Sequence, residues 1–459
     1  MTTDPSRPPF LQATLIRLRQ HSALGVGVVA QFLQYGSGLI LLPLIVTRLS
    51  AAEVGIWYIF ITLQGLAALA DFGFQPTFAR AFASAYAGAA QIMRSGHAAT
   101  AGAPNLSLVK DLVRLCQRFY GALSIAVVVA LLLIGVFYLP TLIRGEGASA
   151  GQVQSAWAVL SAGTALTIYF AWNTGFLLGA GKVSSAYWAQ IASRAGFVIT
   201  GGLALLGGWG LLGLAVGNLV AVLAARLILQ WRMAPLLREL HGVSVVPAPK
   251  AEALFPALWP NAARMGLVAL GAFLITRLNV LVASSFFSLE TAASYAITLQ
   301  LLMAVNSVAQ LPISVALPQM VRLRVQQQTK TLRSMWMARQ AALLVLFVIG
   351  AICVAFVAQP LLELVGSTVA LLPVPLILLM GLVLLLEANH ASCALVITTD
   401  NNVPFVGSAL FSGLAVAVFS VGAAWAGWGV GGLIVAQGVV QLAYNNWKWP
   451  LALWRELNQ

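Results

Sequence analysis

Long apolar runs alternate along the chain with short polar turns, and this spacing predicts α-helices that cross a membrane. A helix needs about 20 apolar residues to span a hydrocarbon core. In hydrocarbon the backbone N–H and C=O groups must be bonded within a helix or a closed barrel. Barrel strands read as short alternating segments, whereas the runs here are continuous, so helices are predicted. Six fall in the first half: Ala23–Val46, Val54–Gln75, Phe119–Leu139, Gln154–Leu178, Ser184–Leu206 and Leu211–Trp231. A polar stretch, Arg232–Pro260, then breaks the pattern with Pro235, Pro247, Pro249 and Pro256. Six more follow: Asn261–Phe287, Thr291–Leu317, Met335–Ala358, Val369–Ile397, Pro404–Trp425 and Val430–Trp449. The expected fold class is an all-α polytopic membrane protein of about 12 transmembrane helices. The expected division is a first six-helix bundle over 1–231, a cytoplasmic linker over 232–260 and a second bundle over 261–459.

Composition agrees with this reading. Hydrophobic residues make up 60 % of 459 and charged residues 8 %, against roughly 25 % charged in soluble domains. The net charge of +13 reads as topology and not as a nucleic-acid surface, because cytoplasmic loops collect Lys and Arg. With both termini inside, 21 of the 25 Lys and Arg lie on the cytoplasmic side. Only Arg48 and Arg144 lie outside, and Arg194 and Arg277 lie within spans. No cleavage-site pattern precedes the first span, so no removable signal peptide is expected. Cys116, Cys353 and Cys393 sit in or beside apolar runs at no metal-ligand spacing, as reduced, packed side chains do. Between spans two and three, Ser107 is expected to cap a short amphipathic surface helix, Leu108–Arg118.

A weak repeat links the halves. Ser50, Glu53, Trp57 and Thr62-Leu-Gln64 are echoed by Ser288, Glu290, Tyr295 and Thr298-Leu-Gln300. The largest basic cluster of each half also follows its second span. Paired helical bundles with a substrate path between them are a recurrent transporter plan.

Polar residues inside the spans form stripes. Gln64, Asp71 and Gln75 share one face of span two, and Gln300, Ser307, Gln310 and Ser314 one face of span eight. Gln31, Gln34 and Gly38 do so on span one, and Tyr187, Gln190, Arg194 and Gly201 on span five. One polar residue in a span is usually a packing hydrogen bond, whereas four aligned stripes fit a central water-filled cavity. Arg277 and Arg194 fall near the midplane, where an arginine costs at least about 2.5–3.5 kcal/mol. Each must face a cavity, as an anion site, or pair with a buried acid such as Asp71 or Glu387. Guanidinium suits phosphate because it stays charged and binds bidentately. Glu387 and His390, one turn apart on span ten, are with Asp71 the membrane-depth groups that can exchange a proton. They are coupling-ion candidates or counter-ions to the arginines.

No P-loop, HExxH, CxxC or GxSxG is present, so neither an ATPase nor another enzyme is expected, and no cofactor or metal is implied.

The stretch Gln34-Tyr-Gly-Ser-Gly-Leu-Ile-Leu-Leu-Pro43, then Arg48-Leu-Ser-Ala-Ala-Glu53-Val-Gly55-Ile-Trp57, then Asp71-Phe-Gly73 resembles the opening two spans of Wzx-type flippases. These belong to the multidrug/oligosaccharidyl-lipid/polysaccharide exporter superfamily. The motif covers about 50 residues and marks the superfamily better than the substrate. Phe72 stands where Leu is common. The resemblance implies two six-helix bundles around a cationic central cavity and alternating access. It implies export of an isoprenoid pyrophosphate-linked oligosaccharide across the bacterial cytoplasmic membrane, with membrane lipid and polysaccharide-assembly proteins as partners. The anion-binding set expected on this reading is Arg277, Arg194, Arg48, Arg80, Gln31, Gln34, Gln64, Gln300 and Gln310. A multidrug cation antiporter of the same superfamily is the alternative, and a membrane polymerase or glycosyltransferase a third, disfavoured by the short outer loops.

Overall fold

The second helix opens on a capping box. Ser50 Oγ accepts from the Glu53 N–H at 3.3 Å, and the Glu53 carboxylate accepts from the Ser50 N–H at 2.8 Å. Two orphan N–H groups of the helix start are thereby satisfied. Ser288 repeats half of the device, accepting from the Thr291 N–H at 3.1 Å. The serine–glutamate repeat seen in the sequence is thus a repeated helix start.

The computed structural model describes residues 36–93, 102–143, 149–242, 251–400 and 404–458, with Val26, Val29, Ala30 and 32–34. Among the described residues, ten helices are long and apolar enough to cross a membrane. With the shorter α1 and the broken α12 they make the expected twelve. The first half holds α1 (Phe32–Arg48), α2 (Ala51–Tyr86), α3 (Leu106–Ile143), α4 (Ala150–Gly179), α5 (Val183–Leu206) and α6 (Gly210–His241). The second holds α7 (Ala251–Thr276 and Leu278–Phe286), α8 (Leu289–Val325), α9 (Thr329–Leu364), α10 (Val374–Ile397), α11 (Val406–Trp425) and α12 (Gly429–Ala443 and Asn445–Glu456). Within the first half α5 and α4 pack on α6, and α3 on α4. The second half repeats this, with α11 and α10 on α12 and α9 on α10. The halves meet where α2 lies against α7 and α8.

Two details support the duplication beyond the serine motif. Both α3 and α9 carry a π-helical turn, Ile134–Tyr138 and Val354–Ala358, and each precedes a proline, Pro140 and Pro360. Proline has no N–H and clashes with the carbonyl four residues back, which a wider turn relieves. In α3 the Trp157 indole donates to the Leu131 carbonyl beside the widened turn, at 2.9 Å. The turns before α6 and α12 also match. Gly208-Trp209-Gly210 and Gly427-Trp428-Gly429 put both glycines of each turn at positive φ, between 55 and 78°, where a Cβ is disfavoured.

Two expectations change. Residues 108–118 are not a separate surface helix but the first turns of α3, and the cap is Asn105, whose Oδ1 accepts from the Leu108 N–H at 3.1 Å. Leu108, Leu112 and Cys116 bury on one face, and no glycine or proline stops the helix from running into the span. The polar stretch 232–260 is helical over 232–241 and 251–260, with Pro235, Pro256 and Pro260 inside helices. Leu254, Leu258 and Ala262, spaced by one turn, are buried, and this packing holds the helix despite the prolines.

Candidate functional site

The middle of α2 brings the halves together. The Tyr58 hydroxyl donates to Gln300 Oε1 at 2.7 Å across the interface. The Gln300 amide also faces α1, its nitrogen 3.0 Å from where a Cβ on Gly38 would sit. The paired Thr-Leu-Gln segments of the sequence repeat therefore part company. Gln300 reaches the other half, whereas Gln64 turns into its own, donating to Thr164 Oγ1 at 3.1 Å and Asn218 Oδ1 at 3.2 Å.

Arg277 lies beside this junction. It sits at a break in α7, with φ −119° and ψ −27°, between Thr276 and Leu278. No proline causes the break, and the positive end of the following helix dipole falls at the same point. The guanidinium is half-buried and within electrostatic range of the Tyr58 hydroxyl. Among the described residues it forms no hydrogen bond and no ion pair. Arg194, also half-buried, is likewise without an acid partner among the described residues. Its neighbour Gln190 is bonded to Gln34 of α1. Gly201 and Gly202, farther along α5, face Leu41 of α1. The two helices therefore run in the same direction, and these contacts bracket Arg194 between the levels of Gln34 and Gly38 of α1. Gln300 meets α1 at Gly38, one end of that bracket.

The acids are held by neutral groups. Asp71 accepts from the Tyr120 hydroxyl and from the Gln75 N–H, the latter at 3.1 Å. It caps the second segment of α2 after a break at Phe72 and Gly73, both left-handed at φ 48° and 76°. Glu387 accepts from Gln437 Nε2 at 2.9 Å, and Gln437 faces Asn279 Nδ2 at 3.3 Å. His390 Nδ1 faces Asn446 Oδ1 at 2.8 Å. Neither Asp71 nor Glu387 forms an ion pair with Arg277 or Arg194 among the described residues.

The other sequence candidates lie elsewhere. Arg48 and Arg80 are exposed near the opposite ends of the bundle, and among the described residues Arg80 donates to Thr77 Oγ1 and Met265 Sδ, at 3.4 and 3.5 Å. Gln310 stays within α8, bonded to Asn306 at 3.2 Å where Pro312 restarts the helix. Gln31 lies outside the described residues. Sequence reasoning missed Tyr58, Asn218, Asn279 and Gln437. Two of these had a signal, because Asn218 and Gln437 occupy the same place after the matching Gly-Trp-Gly turns. Phe72, which stands where Leu is common in the resembled family, joins the halves. Its ring stacks on Trp259 with centroids 5.9 Å apart, across the two halves.

The fold is that of solved membrane transporters. An inward-facing and an outward-facing structure of a multidrug resistance MATE family transporter of the MOP superfamily align with TM-scores of 0.62 and 0.60. They are 13 and 14 % identical over 94 and 95 % of this chain and 95 % of theirs. A MOP superfamily transporter from Pyrococcus furiosus aligns at 0.56, with 12 % identity and 95 % of both chains covered. The likeness is one of fold: twelve helices in two bundles, a multi-pass membrane protein. No protein-family model and no curated protein matches the chain.

Proposed function

We propose that the chain is a secondary transporter that flips an isoprenoid pyrophosphate-linked oligosaccharide between leaflets by alternating access of its two bundles. The observation that carries the anionic substrate is the pair of mid-span arginines, Arg277 and Arg194, one on each half, with no acid against either among the described residues. An arginine left unneutralised in a span is stable only if it faces water or an anion, and a pyrophosphate offers bidentate acceptors to two guanidinium groups. The resemblance of α1 and α2 to Wzx-type flippases supports the same substrate.

A multidrug exporter is the second reading, and the fold comparisons favour it, since two of the structures reported above are of a multidrug resistance transporter. The Pyrococcus furiosus structure is reported with a binding pocket of reverse polarity that suggests a different function, so pocket polarity is not constant in this fold. One assay separates the readings. Reconstituted protein should be raised in melting temperature by a polyprenyl pyrophosphate and should move a pyrophosphate-linked sugar, with inorganic pyrophosphate competing. Movement of an organic cation such as ethidium, with none of the sugar lipid, would replace the first reading by the second.

Directed movement without an ATP motif draws on a gradient or on removal of the product. Glu387 is the proposed coupling group ahead of Asp71, whose carboxylate already caps a helix, and of His390. In the same liposomes Glu387→Gln should uncouple sugar movement from an imposed proton or sodium gradient. If collapsing both gradients leaves wild-type movement unchanged, Glu387 is structural.

Both termini are proposed to be cytoplasmic, on the 21 to 2 division of basic residues. A cysteine placed at Gly147 should then react with an impermeant reagent added outside cells. Reaction from the cytoplasmic side alone would invert the topology.

A further inference from the structure

We propose that the last half of α12 binds the headgroup of an anionic phospholipid between Lys448 and Arg455. The depth of the site comes from the two ends of α12. Trp425 and Trp428, 85 and 68 % exposed, flank the turn before α12 as interfacial tryptophans do. At the other end Glu456 is bonded to Arg324 beside the α8–α9 turn. The charge pattern of the sequence puts that turn, with Arg322, Lys330 and Arg333, at the opposite headgroup level.

The helix Asn445–Glu456 is two-faced. Asn445, Trp449 and Leu453 are buried against the bundle. The other face carries Trp447, Lys448, Leu451, Ala452, Arg455 and Glu456 along an open groove. The acid in this lining is already engaged, because the Glu456 carboxylate is bonded to Arg324. Lys448 and Arg455 form no side-chain hydrogen bond or ion pair among the described residues. Two cations are thus left on one open helix face. The end of this helix is held in place, since Arg333 lies 4.5 Å over the Trp454 ring and Trp336 packs 6.4 Å from it.

The chemistry selects a lipid over a free anion. Trp447 and Leu451 are exposed on the same wall, and an apolar wall adds affinity only for a ligand that carries glycerol and acyl chains. A net negative headgroup is selected over a zwitterionic one, whose cationic end would oppose Lys448 and Arg455. The inference does not depend on what the protein transports.

Native mass spectrometry of the full-length protein, titrated with phosphatidylglycerol or phosphatidylcholine, tests it. The wild type should retain phosphatidylglycerol in preference. Lys448→Gln with Arg455→Gln should lower that retention about thirty-fold, from about one surface-charge increment for each residue. Phosphatidylcholine retention should not change, and Lys330→Gln, an exposed cation elsewhere, should behave as wild type. If the double variant melts lower than wild type, Arg455→Gln alone should still cost about five-fold. Equal retention of the two lipids by the wild type, or undiminished phosphatidylglycerol retention by the variants, would overturn the proposal. Displacement of the lipid by millimolar inorganic phosphate would also overturn it, in favour of a simple anion site.

Discussion

Arg277→Ala is expected to abolish movement of the lipid-linked sugar while leaving the protein at least as stable as wild type. The two halves of this expectation have different origins. Two hydrogen bonds to a charged group are together worth about 3–6 kcal/mol, so losing a bidentate hold on phosphate should cost about a hundredfold or more in transport. Stability should move the other way. A guanidinium at mid-span costs at least about 2.5–3.5 kcal/mol, and among the described residues no acid offsets it. Removing it relieves that cost. Arg277→Lys should keep part of the activity, because it keeps the charge and loses the fork. Transport in liposomes and melting in detergent check both halves. A variant that transports normally and melts lower would show that Arg277 is a structural residue.

Gly271→Leu is expected to lower stability by about 3 kcal/mol, the upper end for an overpacked core. A Cβ on Gly271 would lie 2.4 Å from the carbonyl carbon and oxygen of Ala409, and Gly413 faces Gly271 in turn, with a Cβ 2.8 Å from its carbonyl oxygen. α7 and α11 therefore touch backbone to backbone. In a bilayer the hydrophobic effect does not hold helices together, and such close packing does. A leucine at 271 must push the helices apart and forfeit that contact along their length. Gly422→Leu on the same α11 meets nothing within 4 Å and should melt as wild type. Equal melting temperatures for the two variants would mean that the α7–α11 contact carries little stability.

Much of the architecture was legible in the sequence because it is local. Apolar runs of spanning length give helices wherever the chain supplies them, and the boundaries expected for α5, α10 and α11 lie close to those observed. The Ser50–Glu53 box could be read from spacing alone. The prolines at 140 and 360 and the Gly-Trp-Gly turns were readable too, as signs of the repeat, but they show their meaning only as matching π turns and positive φ angles. At 108–118 a separate surface helix was expected, and burial on one face joins it to α3; at 232–260 polar composition suggested a linker, and burial on one face keeps its second half helical.

The sequence determined that the chain is helical and that it spans the membrane about twelve times. Those properties depend on the order of residues along one chain segment. The tertiary structure alone decided which neighbour each buried polar group meets. Gln64 and Gln300 stand at matching places in the repeat, yet one bonds within its own half and the other across to Tyr58. Asp71 and Glu387 were possible partners of the arginines, and they accept instead from Tyr120 and Gln437. A helical period fixes which residues share a face. The rotation of that face toward one neighbour or another is set by the packing of the whole bundle, through close contacts such as Gly271 on Ala409, and no single segment encodes it.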